Sequence, residues 1–199
     1  MHRNSTLLFE KYIAPRFKSG ARVLEIGPDA FPSTFRRIVP QADITWDTVD
    51  IYESPQLTYS KSGPYNFPIP DNTYDFVFAA QVLEHVEKIW KWMPEVTRIA
   101  KPGGMVCLIS PVSWPYHEAP VDCWRIYPTG MKALCEDSGL DIELCKFETL
   151  EIPRYKNAIP GRSPGAQPRP LAAFFRLAGL FGFPVEKAFD TITLARKKI

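Results

Sequence analysis

Apolar residues along the chain fall into two kinds of run. Between Thr6 and Phe17, Leu7, Leu8, Tyr12 and Ile13 recur at helical spacing until Pro15 breaks the stripe, which predicts a covering helix within residues 1–20. Ala21–Ile26 is a short apolar run stopped by Gly27 and Pro28, the pattern of a buried strand. Phe31–Val39 predicts a helix entered through Pro32 and Ser33, with Phe35 and Ile38 on one face. Ile44–Ile51 alternates as a second strand, and after a polar, proline-punctuated stretch Tyr74–Ala80 forms a third. A helix ending at Ala100 is stopped by Lys101-Pro102-Gly103-Gly104, and Met105–Ile109 is the next buried strand, closed by Ser110 and Pro111. A helix over about Pro128–Asp137 ends at Gly139, a strand follows over Ile142–Phe147, and Thr191–Ala195 reads as the last strand.

Strands alternating with helices at this spacing imply an α/β fold with a parallel, doubly wound sheet, whose ligand crevice lies at the carboxyl ends of the strands. The 199 residues fit a single domain over the whole chain, with about 50 residues beyond a minimal one. Twenty prolines, about twice the usual share, raise the alternative of an irregular protein. Their positions decide against it, because Val23–Ile26, Phe76–Ala80 and Met105–Ile109 contain none. Five of them, from Pro153 to Pro170, stand in an insertion over residues 152–190 together with Arg154, Lys156, Arg162 and Arg169. This basic connector leads into the apolar stretch Leu171–Phe183, read as a lid or acceptor region, with peripheral membrane contact as the sharper alternative.

Charge and cysteines narrow the partners. A balance of 24 basic against 22 acidic side chains is too even for a nucleic-acid backbone, so a small-molecule partner is expected. Cys107, Cys123, Cys135 and Cys145 form no C-x-x-C pair, which argues against a zinc ribbon or a disulfide framework and suits a reducing cytoplasm. The N-terminus has no signal-peptide pattern, and no window reaches the 18 apolar residues of a membrane span.

The first crevice loop, Glu25-Ile26-Gly27-Pro28-Asp29-Ala30-Phe31-Pro32, keeps only the first glycine of a dinucleotide-binding G-x-G-x-x-G. Asp29 would repel a pyrophosphate, so a cofactor with positive charge and no phosphate suits this loop better. S-adenosylmethionine, with its sulfonium and ammonium groups, is such a cofactor. Asp50, about 23 residues after Gly27, is placed to accept hydrogen bonds from ribose hydroxyls.

Four stretches carry a resemblance: Val23–Gly27, Phe67–Val77, Gln81-Val-Leu-Glu-His-Val86 and Arg98–Gly104. Together they resemble the ordered motifs of class I S-adenosylmethionine-dependent methyltransferases of the type 11 family, over about Ala21–Phe147 and the last strand. The resemblance implies a Rossmann-like seven-stranded sheet in the order 3-2-1-4-5-7-6, strand seven antiparallel, with helices on both faces. It also implies a cofactor-side set of Glu25, Gly27, Pro28, Asp29, Asp50, Ile51 and Gln81. The sequence departs from the pattern in the missing second glycine and in Gly63-Pro64-Tyr65-Asn66, which replaces the acid that often meets the adenine; Tyr65 or Asn66 is the substitute suggested.

Methyl transfer needs alignment of the acceptor, and a base only where the acceptor must lose a proton. His85 and His117 both follow strands that end at the crevice, and histidine is suited to proton removal near neutral pH. The loop Ser113–Pro128 packs prolines, aromatics, carboxylates and an arginine into 16 residues. Its expected roles are His117 as base, Asp122 orienting it or an acceptor hydroxyl, and Tyr116, Trp124 and Arg125 on the substrate, Arg125 gripping an anionic group. The alternative is an Asp122–Arg125 pair that only shapes the loop, with Trp124 in the core; His85 likewise has the alternative of a helix cap. His117, Asp122 and Cys123 lack the spacing of a metal site, and no metal is expected. Methyl transfer to oxygen of a small or carbohydrate-like acceptor is the leading expectation. The rivals are a non-catalytic protein of the same fold that supports a partner, and an NAD(P)-dependent oxidoreductase, against which Asp29 and the missing glycines argue.

Overall fold

The apolar alternation of the central strands divides the core into two layers. The structure is a computed structural model; residues 3–39, 43–60, 62–118, 120–151, 177–178, 181 and 188–199 are described. Its strands are β1 (Arg22–Ile26), β2 (Thr45–Val49), β3 (Tyr74–Ala80), β4 (Ala100–Pro111), β5 (Leu140–Glu148) and β6 (Asp190–Lys197). Its helices are α1 (Arg3–Leu8), which runs on through a wider turn Phe9–Ile13 and a tight turn Ala14–Arg16, then α2 (Thr34–Ile38), α3 (Ile89–Ile99) and α4 (Pro128–Asp137). Leu24, Ile26, Val77, Ala79, Val106 and Leu108 point to one face, beneath α3 and α4. Val23, Phe76, Phe78, Met105, Cys107 and Ile109 point to the other, where Leu8, Phe9, Ile13 and Phe35 cover them. Phe9 fixes that layer, its ring centroid lying 4.7 Å from Phe35 and 5.0 Å from Phe78.

Among the described residues the sheet has six strands in the order β2-β1-β3-β4-β6-β5. β1 is parallel to β2 and β3, and β3 to β4, whereas β6 runs antiparallel between β4 and β5. Of the seven strands expected, the third, which would lie outside β2, is replaced by a loop, while the antiparallel seventh is present as β6. The segment after Ile51 is polar and proline-punctuated, and it meets the edge of β2 through an isolated bridge between Val49 and Tyr59, the bond from the Tyr59 amide to the Thr48 carbonyl and side-chain bonds between Thr48 and Thr58, without forming a strand.

A second correction concerns Lys101-Pro102-Gly103-Gly104, expected to be a stop between helix and strand. The chain enters β4 directly at Ala100, and the pairing jumps from Tyr74↔Ala100 to Phe76↔Met105, so these residues form a wide bulge within the strand. Gly103 takes φ +72°, and a Cβ on Gly104 would lie 2.8 Å from the Lys101 carbonyl oxygen. The breakers thus serve a bulge. The insertion over residues 152–190 and the apolar stretch Leu171–Phe183 lie almost wholly outside the described residues.

Candidate active site

The carboxyl ends of β1 and β2 carry the cofactor-side residues. Gly27 ends β1 at φ +70°, and its amide donates to the Val49 carbonyl at 2.9 Å, tying the loop to the end of β2. A Cβ there would meet Val82 Cγ2 at 2.6 Å, so both conformation and space require glycine. Glu25 does not line the open crevice. It is buried, with Oε2 accepting from Ser33 Oγ at 2.5 Å and from Trp46 Nε1 at 2.8 Å, so it fastens the start of α2 to β2 beneath the loop. Burial pushes its carboxyl up to about 7, against the pull of those two hydrogen bonds. Ser33 in turn caps α2, accepting from the Arg36 amide.

Asp29 is exposed on the rim and holds the Thr34 amide and hydroxyl. Asp50 follows β2 with Oδ1 accepting from the Tyr52 amide, and its backbone carbonyl accepts from the Ser62 amide at 3.0 Å. That bond brings residues 62–66 beside Asp50, where Tyr65 Oη accepts from the Lys88 amide. Ile51 and Tyr52 are exposed apolar groups next to Asp50. Two rim carboxylates, an apolar surface and a loop whose glycine admits no side chain form a donor set that fits a cationic nucleoside.

The second half of the crevice is built by the turn after β3 and the loop after β4. Gln81 leaves β3 at φ +58°, and its side chain donates to Ser5 Oγ and to Asp190 Oδ1. In this arrangement it binds α1 to β6 and is not turned solely to a ligand. His85 sits in the tight turn Leu83–His85 with Nδ1 against the Val121 carbonyl, and its ring meets that of His117 edge to face at 5.0 Å. The His117 side chain is 43 % exposed, with Nδ1 3.7 Å from Asp122 Oδ2. Partial burial and the neighbouring His85 hold its proton affinity below the usual imidazole value, with Asp122 opposing.

Asp122 accepts from the His117 amide and pairs bidentately with Arg125. Arg125 also donates to the carbonyls of Trp114, Pro115 and Trp124, so its donors are committed inside the loop. In this arrangement the guanidinium is turned to the loop's own acceptors. Trp124 packs against the core layer under α3 and donates from Nε1 to the Val86 carbonyl. Tyr116 is 71 % exposed, with its hydroxyl on Glu118.

Sequence reasoning missed four residues here. Asn4, Ser5 and Asp190 are buried together, with Asn4 Nδ2 donating to Asp190 Oδ2 at 2.7 Å and the Leu150 amide donating to Asn4 Oδ1 at 2.7 Å. Glu84 is fully buried behind His85. The available signal was polarity at the ends of apolar runs, which Asn4 and Asp190 share. No group of three or more residues among those described could hold a metal ion, and no helix there is long and apolar enough to cross a membrane.

Comparison with known proteins agrees with this geometry. A family model described as a methyltransferase domain matches residues 42–108. An uncharacterized methyltransferase of Mycobacteroides abscessus is 29% identical over 103 residues, covering 49% of this chain and 34% of the relative. One of Schizosaccharomyces pombe is 26% identical over 116 residues, covering 48% and 42%. The chain thus spans well under half the length of these curated relatives. Among solved structures, an S-adenosylmethionine-dependent methyltransferase of Archaeoglobus fulgidus superposes with a TM-score of 0.64 at 19% identity, over 97% of this chain and 92% of its own. The chain is thus similar over residues 42–108 to the methyltransferase domain, and its fold is that of solved S-adenosylmethionine-dependent methyltransferases.

Proposed function

We propose that the chain catalyses methyl transfer from S-adenosylmethionine to a hydroxyl of a small or carbohydrate-like acceptor, in a cytoplasmic setting suited to its four unpaired cysteines. The observation that carries this reading is His117. It stands at the crevice with its ring partly exposed, its main chain pinned by Asp122 and its proton affinity lowered, so at neutral pH it is an unprotonated base. When bound, the cofactor would supply an electrophilic methyl group on a positively charged sulfur, and breaking that carbon–sulfur bond would leave S-adenosylhomocysteine. Asp50 accepts the ribose hydroxyls, Asp29 faces the cationic end, and the Gly27 loop gives the backbone its close approach. His117 takes the acceptor's proton as the oxygen gains its methyl group, and then releases that proton to water. The exposed ring of Tyr116 gives a CH-rich acceptor a stacking face.

Calorimetric titration with S-adenosylhomocysteine and with NADH tests the cofactor assignment; heat with the first and none with the second is the expected result, and no affinity for the first overturns it. An acceptor screen with labelled cofactor then compares the wild type with Asp50→Ala and His117→Ala. Asp50→Ala weakens cofactor binding, whereas His117→Ala spares binding and slows turnover by about 10²–10⁴-fold. Equal loss of binding in both variants refutes the division of roles.

A further inference from the structure

Glu84 has no exposed surface, and neither of its carboxyl oxygens meets a hydrogen-bond partner among the described residues. A buried carboxylate left without donors is costly, so such a group stays neutral or finds a proton to share. The charged groups around it come from three elements. His85 lies beside it on the same turn, with Nε2 3.7 Å from Glu84 Oε1. The loop after β4 contributes Arg125, Asp122 and, beyond His85, His117; β6 contributes Asp190. Arg125 is engaged by Asp122 and by carbonyl oxygens, while Asp190 takes hydrogen bonds from Asn4 and Gln81.

The ring of His85 is oriented by its other nitrogen. Nδ1 lies against the Val121 carbonyl, which can only accept, so Nδ1 carries a hydrogen and Nε2 presents the ring's lone pair towards Glu84. A protonated carboxyl is the complement of that lone pair. The edge-to-face contact with His117, at 5.0 Å, then links the pair to the proposed base.

We propose that Glu84 is a positioning residue that keeps its proton and turns it to Nε2 of His85, closing the 3.7 Å gap between them, and so keeps a pair without net charge beside His117. The proton stays on the carboxyl oxygen, and no bond changes. An imidazolium at His85 would oppose a second positive charge on His117 at the moment it accepts the acceptor's proton; the neutral pair avoids that opposition. This role rests on His117 as the base of the proposed methyl transfer, whereas the pair itself does not. Burial pushes the Glu84 carboxyl up to about 8, with Arg125 opposing and Asp190 and Asp122 reinforcing the rise.

The chain has only three histidines, His2, His85 and His117, so isotope-labelled imidazole resonances of the full chain are assignable by substitution. A pH titration of the cofactor-free protein is expected to show lone-pair character at Nε2 of His85. The Glu84 step near pH 8 is expected to register in the neighbouring His117 ring. In Glu84→Gln that step disappears. A step that survives in Glu84→Gln, its absence in the wild type, or a lone pair found at Nδ1 overturns the proposal. A second measurement, the carboxyl carbons of labelled glutamates, keeps the test intact if Glu84→Gln fails to fold. One carboxyl must titrate near 8 and remain when Glu25 is replaced by Gln; titration of every glutamate below about 7.5 overturns the proposal. Failure to bind S-adenosylhomocysteine in a protein that shows the step refutes the methyl-transfer reading and leaves the neutral pair standing.

Discussion

Replacing Gly27 with alanine tests the first crevice loop through two separable costs. A non-glycine residue at φ +70° pays about 1–2 kcal/mol for its left-handed backbone. The new methyl group would lie 2.6 Å from Val82 Cγ2, far inside the ordinary contact distance of roughly 3.5–4.0 Å. Val82 is β-branched and stiff at χ1, so the clash is relieved by backbone movement or an off-rotamer side chain, at about 1–3 kcal/mol. The sum is about 2–5 kcal/mol, or a fall in melting temperature of about 4–20 °C for a chain of this size. Denaturant unfolding of Gly27→Ala, Val82→Ala and the double variant separates the costs. Removing the Val82 methyl groups takes away the clash and leaves the backbone term, so the two substitutions are sub-additive by about 1–3 kcal/mol. Additivity within about 0.5 kcal/mol, or a cost for Gly27→Ala below about 1 kcal/mol, would refute the reasoning.

Glu25 binds its proton more tightly in the folded chain, with a carboxyl raised from 4.5 to about 7. Its contribution to stability is therefore full below pH 4.5 and lost as pH rises to about 7, and Glu25→Gln flattens that decline by on the order of 2 kcal/mol in unfolding titrations at pH 5 and 8. The Asp122 carboxyl is held below its ordinary value chiefly by its hydrogen bonds from Arg125, so its contribution is present above the usual carboxylate range and lost as pH falls. Asp122→Asn is expected to cost about 1–3 kcal/mol and to raise KM for the acceptor more than it lowers kcat, because the loop loosens around His117. Asp50→Ala is expected to weaken S-adenosylhomocysteine binding by about 10–100-fold in calorimetry with little change in melting temperature.

The strands were legible because their apolar runs or alternations are free of proline, and several are flanked by glycines and prolines that mark the ends. Lys101–Gly104 misled because the residues that end a helix also make a bulge, and only the pairing of β3 with β4 distinguishes the two. The missing third strand of the expected seven was legible in part, since the stretch after Ile51 lacks alternation, but the family pattern outweighed it. At the site, the positions of Gly27 and Asp50 follow from strand ends and needed no partner to be found. Glu25 did need one, since the groups that bury it lie 8 and 21 residues away in Ser33 and Trp46. Glu84 was hidden within Leu83-Glu84-His85, where its neighbour drew attention and nothing local reveals which side chain turns inward. Parts of the motifs that suggested chemistry are architectural: Arg98 braces the stretch after Phe67 through Glu95, Asp71 and the carbonyls of Phe67 and Ile69.

The last strand in sequence is an inner strand in space. β6 separates β4 from β5, and Asp190 at its start is where Asn4 and Gln81 converge. Until β6 is inserted, β4 and β5 therefore each keep an open edge, and Asn4 and Gln81 lack the carboxylate on which they meet. A chain cut short before Asp190 carries every proposed cofactor contact yet lacks the wedge that joins its two halves. Such fragments present unpaired strands to proteases and chaperones, so insertion of β6 acts as the checkpoint for a competent crevice.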